Sequence, residues 1–290
     1  MKDSIENIKL FTLISQINEL PVFPEVALKI VKMIDEESTT SKELSKTILM
    51  DTSLTLRIIN IANSAFYSPK SPIKNLAHAV QYLGFNTIKS IAYTSSINAL
   101  KTQDENNLLV SKFQEKAIVS AYVAKLLIQK INHFRKTEYS LENFYIYGLF
   151  HDIGEIVLSI FYPEYFQSII DKIGHGEDIV TLEKKFRHTQ VGLMLMRRWN
   201  LPEEYAKICS KHHIFEDDQI DEDLKFINNI LLISDAVAYE LGYNPTFNDN
   251  YDVEFTVSQV GLREYDVFSE EDGILGEVKD MIETQLTFLL

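Results

Sequence analysis

Apolar residues recur at helical spacing along almost all of this 290-residue chain, and few segments alternate apolar and polar residues over the length of a strand. A stripe at i, i+3, i+4 and i+7 buries one face of a helix and has no equivalent in a pleated sheet, so the expected class is all-α. In LPVFPEVALKIVKMIDEE, Pro24 suits a first helical position, and Ala27, Ile30, Val31 and Ile34 form one stripe. Thr40 and Glu43 have capping-box spacing ahead of Leu44 and Ile48. Asp51 is placed to cap a third helix that presents Leu54, Ile58 and Ile61 together. Pro69 and Pro72 stop that helix in a loop. Gly84 reads as a terminator, with Asn86 or Thr87 as the cap of IKSIAYTSSINAL.

The polar stretch KTQDENN, residues 101–107, separates two apolar halves and reads as a lobe boundary. Beyond it the periodicity predicts helices at about 109–131, 142–160, 178–199, 203–213 and 221–242, and a last one over roughly 270–289. GYNPTFNDNYDVEF reads as an irregular acidic loop, and EDDQIDED and SEED as solvated loops or helix starts. No internal repeat, P-loop, dinucleotide fingerprint or CxxC is present.

Composition narrows the function classes. With 46% apolar and 24% charged residues, the chain can bury a substantial core and is neither a disordered tail nor a collagen. The 28 Lys and Arg against 42 Asp and Glu leave a formal charge of -14, which repels phosphate backbones, so nucleic acid is not an expected partner. Cys209 is the single cysteine and cannot close an intrachain disulfide. MKDSIENIKLFTLISQ is not built like a signal peptide, and no segment reads as an apolar run of the ~20 residues a span requires. The expectation is a soluble, cytoplasmic protein with no membrane partner.

The informative positions are ionisable groups lying on apolar stripes. His151 and Asp152 sit in YIYGLFHDIGEIVL among Leu149, Ile153, Ile156 and Val157. His188 shares a stripe with Val191, Leu195 and Trp199, and His212, followed by His213, continues the one with Tyr205, Ile208 and Cys209. Asp235 shares a face with Leu231, Leu232, Ala238 and Tyr239. An ionised carboxylate there is costly without a partner, and several such groups on separate faces are hard to satisfy unless they converge. Imidazole and carboxylate suit Zn, Fe, Mn or Ni, so one divalent ion is the candidate cofactor. A single buried histidine or an isolated HD dipeptide is more often a core residue, so the set carries the weight. His78 and His133 read as surface or packing residues.

The order His151-Asp152, His188, His212-His213, Asp235 resembles the HD metal-dependent phosphohydrolase superfamily. LPVFPEVALKIV, ILMDTSLTLRIINIANSAFY, HAVQYLGFNTIKSI, GLFHDIGEIVL and HTQVGLMLMRRWNLPEEY narrow this: in collinear order over about 14–213 they resemble the HDOD domain, the HD-related output domain of bacterial signalling proteins. The resemblance implies a two-lobed helical fold: an N-terminal helical lobe over 1–105, with motifs beginning near 14, an HD-like lobe over 108–245 and a C-terminal helical extension over 246–290. It implies signal transduction through protein partners, with a small phosphorylated ligand as a further candidate, and no established catalytic activity. By the family pattern Asp152, His188, His212 and His213 compose one metal position, and His151, Asp152 and Asp235 the remainder of another.

Two departures from the pattern bear on catalysis. Relatives with a two-metal site supply a histidine where alignment through SKFQEKAIVSAYVAKLL puts Lys116, which shares a stripe with Val119, Val123 and Leu127 and could stand in for a missing ion. Phosphodiesterase relatives of the HD-GYP type carry a phosphate-contacting lysine where this chain has Glu155, and the GYP tripeptide is absent. Both favour a regulatory module that keeps a partial metal or ligand pocket over its rival, a phosphohydrolase acting on a nucleotide or phosphate ester. A metal or redox sensor is the third reading. Asn63-Ser64 in IANSAFY looks like the family's Asn-Ser pair and reads as a polar helix end rather than a catalytic serine.

Overall fold

The computed structural model describes residues 22–36, 38–101, 108–175, 187–214, 220–244, 256–258, 260, 262, 267, 269 and 273–282. The fold is all-helical, with twelve helices and no strand among the described residues. They are α1 Glu25–Asp35, α2 Ser41–Ile48, α3 Thr52–Ala62, α4 Leu76–Asn98, α5 Leu108–Arg135, α6 Leu141–Phe150, α7 Ile153–Phe161, α8 Pro163–Gly174, α9 His188–Arg198, α10 Glu203–Lys211, α11 Glu222–Glu240 and α12 Ile274–Met281. Beyond Lys101 the expected lobe boundary lies outside the described residues, as do the motif start near 14 and most of GYNPTFNDNYDVEF, EDDQI and SEED.

Local chemistry sets the first helix starts. Thr40 and Glu43 form the reciprocal capping box, the Thr40 amide donating to Glu43 Oε2 at 3.0 Å and the Glu43 amide to Thr40 Oγ1 at 3.3 Å. Asp51 Oδ1 accepts from the Leu54 amide at 2.9 Å, and Asn75 Oδ1 from the His78 amide at 2.9 Å. At the end of α3, Asn63 pairs with both backbone groups of Ile73: Ile73 N donates to Oδ1 and Nδ2 donates to Ile73 O, each at 2.8 Å. That pair of hydrogen bonds fastens the proline loop to the helix, so Asn63 is the polar helix end the sequence suggested.

Gly84 ends the helical path as expected: at φ 79°, ψ 161° it is non-helical, so α4 is two helices joined across a kink at this glycine. Two expectations are corrected. The segment 142–160 is two helices, because Asp152 leaves the helical region at φ -104°, ψ 18°. No glycine or proline marks that break between α6 and α7. The helix expected from 178 begins at His188, after a left-handed Arg187 at φ 53°, with 176–186 outside the described residues. Likewise α12 covers 274–281 of the expected 270–289, and 283–290 lie outside the description. Helix α8 was not anticipated.

α4 packs on α1, α2 and α3, while α5 runs through the second group of helices against α6, α7, α11 and α12. An aromatic cluster stitches the two groups together. Phe23 meets Trp199 edge-on at 5.2 Å between ring centroids, and Tyr93 on α4 meets Phe150 on α6 at 5.4 Å and Tyr205 on α10 at 6.1 Å. The stretch Leu141–Phe161 is, by length and composition, apolar enough to cross a membrane, against the reading that no segment is. Yet 89% of its apolar window is buried inside the protein, where it forms the floor of the cluster described next.

Candidate metal centre

All eight site residues named from the sequence converge. Lys116 comes from α5, His151 and Asp152 from the break between α6 and α7, Glu155 from the first turn of α7, His188 from the start of α9, His212 and His213 from the end of α10, and Asp235 from α11. Lys116, His151, Asp152, Glu155, His188, His212 and Asp235 are each no more than 8% exposed, and His213 is half-buried.

Close backbone approaches hold these elements. A Cβ on Gly154 would overlap the carbonyl oxygen of His188, and one on Gly192 would overlap Cys209 Sγ. A Cβ on Gly148 would meet the backbone of Ser120 and Ala121. Helices α6, α7 and α9 can therefore press against their neighbours only because these three positions lack side chains. Cys209 Sγ donates to the His151 carbonyl at 3.2 Å, and burial pushes its thiol far up, so it is a packed donor and not a nucleophile.

Asp152 is the hub. Its Oδ1 lies 3.0 Å from His188 Nε2 and 2.9 Å from His212 Nε2, and those two nitrogens are 3.2 Å apart. Its Oδ2 lies 2.6 Å from Lys116 Nζ and 3.1 Å from His151 Nε2. His151 Nε2 is also 3.2 Å from Asp235 Oδ2, and Asp235 Oδ1 accepts from Ser120 Oγ at 3.0 Å. Lys116 Nζ reaches Glu155 Oε2 at 2.7 Å. Asn244 Nδ2 donates to the Asp235 backbone carbonyl at 3.2 Å.

Ring orientation makes one side of this hub electron-rich. His212 Nδ1 lies 2.9 Å from the Cys209 carbonyl, which can only accept, so Nδ1 carries the proton and Nε2 presents a lone pair. Burial lowers the His212 pKa and keeps the ring neutral. Asp152 Oδ1 receives no aligned hydrogen bond. Two acceptors thus crowd around His188 Nε2, which holds at most one proton. A backbone carbonyl fixing the distal nitrogen is the usual support of a metal-binding imidazole. A cation would satisfy all three inward atoms at once, and Asp152, His188, His212 and His213 each offer a ligand atom within 4.8 Å of the others. His151, Asp152 and Asp235 form a second such group.

The other side already holds positive charge. Burial works against charging Lys116 and His151, but Asp152, Glu155 and Asp235 raise Lys116, and Asp152 and Asp235 raise His151 to about 10. Burial likewise opposes ionisation of Asp152, yet His151 and Lys116 hold its carboxyl well below the usual range. Burial pushes Glu155 up to about 7 despite Lys116.

Sequence reasoning placed Glu155 as an altered phosphate contact; here its carboxylate reaches Lys116. It also passed over Ser120 and Asn244. Ser120 sits one turn from Lys116 on α5, so i, i+4 spacing was the available signal. Asn244 follows α11 in loop sequence that carries none. His78 and His133 are exposed and apart from the cluster, as expected. A cavity of about 470 Å³ lies elsewhere, where Phe66 after α3 meets Tyr122 and Lys125 of α5 and Met281 of α12; no cluster residue lines it.

A model of the HDOD domain family matches residues 20–215. An uncharacterized protein of Treponema pallidum (strain Nichols) is 23% identical over 205 residues, 68% of this chain and 38% of that protein. Among solved structures, an HDOD domain protein of unknown function from Geobacter sulfurreducens superposes with a TM-score of 0.65 at 21% identity, covering 97% of this chain and 96% of that one. A candidate metal-dependent phosphohydrolase from Shewanella amazonensis SB2B gives 0.60 at 20% identity, covering 90% of each chain. A candidate signal transduction protein from Marinobacter aquaeolei VT8 gives 0.71 at 19% identity, covering 100% of this chain and 66% of its own length. At these identities the structural likeness is one of fold. The chain spans less than two thirds of the Treponema and Marinobacter proteins.

Proposed function

This chain belongs to the HDOD domain family, and on that premise we propose that it is a regulatory module acting through protein partners, in which the HD pocket survives as a divalent-cation site without efficient catalysis. One observation carries the reading. Asp152, His188, His212, His213, His151 and Asp235 are kept and converge, but all except His213 are buried, and Glu155 stands where a substrate phosphate would need a cation. A retained donor set argues for an ion; a largely buried, acid-lined set argues against an anionic substrate reaching it. Fe, Mn, Zn or Ni fits the donors. Bound there, the ion would supply Lewis acidity and charge. The chain's own residues would orient it: the Cys209 carbonyl through His212 Nδ1, and the Gly148 carbonyl through His151 Nδ1 at 2.9 Å. Signalling proteins are the proposed partners and the cytoplasm the proposed compartment. The 1–105, 108–245 and 246–290 division is the proposed organisation.

A specific feature favours hydrolysis of a phosphate ester as second reading: Asp152, His188 and His212 keep the inward-facing geometry a hydrolytic ion needs. Metal analysis of protein purified without an affinity metal column, followed by assays on p-nitrophenyl phosphate and bis(p-nitrophenyl) phosphate, separates the two. The module predicts bound metal and no turnover. Turnover that Asp152→Ala abolishes would transfer the assignment to the hydrolase.

A further inference from the structure

The two oxygens of Asp152 are held in different ways. Oδ1 faces the Nε2 atoms of His188 and His212 and receives no aligned hydrogen bond, whereas Oδ2 is taken by the Lys116 ammonium at 2.6 Å, which is held from its far side by Glu155 at 2.7 Å. An ammonium has three donors and no lone pair, so it cannot share a carboxylate oxygen with a metal as a ligand; it can only compete for it. We infer that Lys116 is a built-in cation that permanently fills one half of this centre. The chain then binds a single divalent ion through Asp152, His188, His212 and His213, and excludes a second from His151, Asp152 and Asp235. This rests on the cation reading above and adds its stoichiometry.

Charge and space point the same way. Lys116 and His151 offset two of the three buried carboxylates of Asp152, Glu155 and Asp235, and the single negative charge left over is too little to hold two divalent cations. A second ion beside Lys116 would put three positive centres around one carboxylate at hydrogen-bond range, in a buried place where the low dielectric screens them little. The Lys116 side chain is only 3% exposed, so the ammonium has no solvent to withdraw to. Glu155 thus acts as a positioning residue, fixing the ammonium over Asp152 Oδ2. A two-metal clamp on attacking and leaving oxygens is then denied to this chain by one side chain and its counter-ion.

The test counts ions. Chelated full-length protein is equilibrated by dialysis against Mn²⁺, the bound metal is measured by mass spectrometry, and the Mn²⁺ resonance is recorded by electron paramagnetic resonance. Wild type is expected to hold one Mn²⁺ per chain with the hyperfine pattern of an isolated ion. Lys116→Ala frees Glu155 to join His151, Asp152 and Asp235 as a ligand and is expected to hold two, with an exchange-coupled spectrum. Should Lys116→Ala fail to fold, Lys116→Ala/Glu155→Ala removes both members of the ion pair and is likewise expected to bind two. Two ions in wild type, or one in a folded Lys116 variant, would overturn the inference while leaving the cation site standing. No ion in any of the proteins would remove the cation site itself, and the inference with it.

Discussion

In α1–α4 the polar groups that organise structure sit at helix ends, where Thr40, Asp51 and Asn75 accept from first-turn amides at or near the surface. In α5–α11 they sit in mid-core, where Lys116, Asp152, Glu155 and Asp235 lie beside three buried imidazoles. The first arrangement is local and cheap, each cap being worth about 1 kcal/mol. The second costs desolvation of every member and holds only because each charge meets another. Helix ends can be stabilised by residues within the same few positions of sequence, whereas the buried set draws on six helices or their junctions. The difference teaches that the first region is specified by propensity and capping, and the second by mutual dependence of distant residues.

The sharpest way to break that contrast is Asp152→Ala. It leaves Lys116 and Glu155 without their third partner and is expected to cost about 3–5 kcal/mol by urea denaturation, together with loss of bound metal. A loss under ~1 kcal/mol, the range of exposed pairs, would show that the cluster is not interdependent. Ile58→Ala, at a fully buried position of α3, should cost about 3 kcal/mol through its cavity and leave metal content as in wild type. Metal lost along with that stability would show the two regions to be one. Asp51→Ala should cost about 1 kcal/mol, read as a lowered urea midpoint at unchanged slope.

The smallest effect concerns Glu142, which joins the regions by accepting a short hydrogen bond from Ser90 of α4. Burial raises its pKa above the ordinary 4.5, against the lowering pull of Ser90, Lys125 and Lys89. A carboxyl raised on folding binds its proton more tightly in the native state. Its stabilising contribution is therefore full below the ordinary value and lost as pH climbs through the raised one. Glu142→Gln should accordingly gain on wild type in thermal midpoint between pH 4 and pH 8. A gap that stays flat or narrows across that series would show that the carboxylate is not penalised by its burial.

Legibility followed the same divide. The caps at Thr40 and Asp51 could be read because partner and recipient lie three residues apart. His151, Asp152, His188, His212 and Asp235 stood out because each interrupts an apolar stripe, and a polar group there must find another. The break between α6 and α7 could not be read, since the sequence on both sides is apolar all round and the turn is imposed by where Asp152 must reach. Helix α8 was missed although Pro163 and Gly174 bracket it, because its stripe is short and follows directly on α7. Glu155 was assigned toward a substrate because nothing local in the sequence ties it to a lysine 39 residues earlier. Ser120 and Asn244 are small polar residues whose partners are set by packing alone.

The glycine contacts between α7, α9 and α10 have a mechanical corollary. Where side chains separate two helices, a displacement of one is absorbed by rotamer changes in the layer between them. At Gly154 the α7 backbone rests directly on the carbonyl of His188, and at Gly192 the α9 backbone rests on Cys209, whose thiol in turn holds the carbonyl of His151. No side-chain layer separates the helices at Gly154, and at Gly192 the layer is the Cys209 thiol. A displacement of α9 or α10 therefore has little side-chain adjustment between it and the histidine–aspartate spacing, so the cluster is geared to the helices around it.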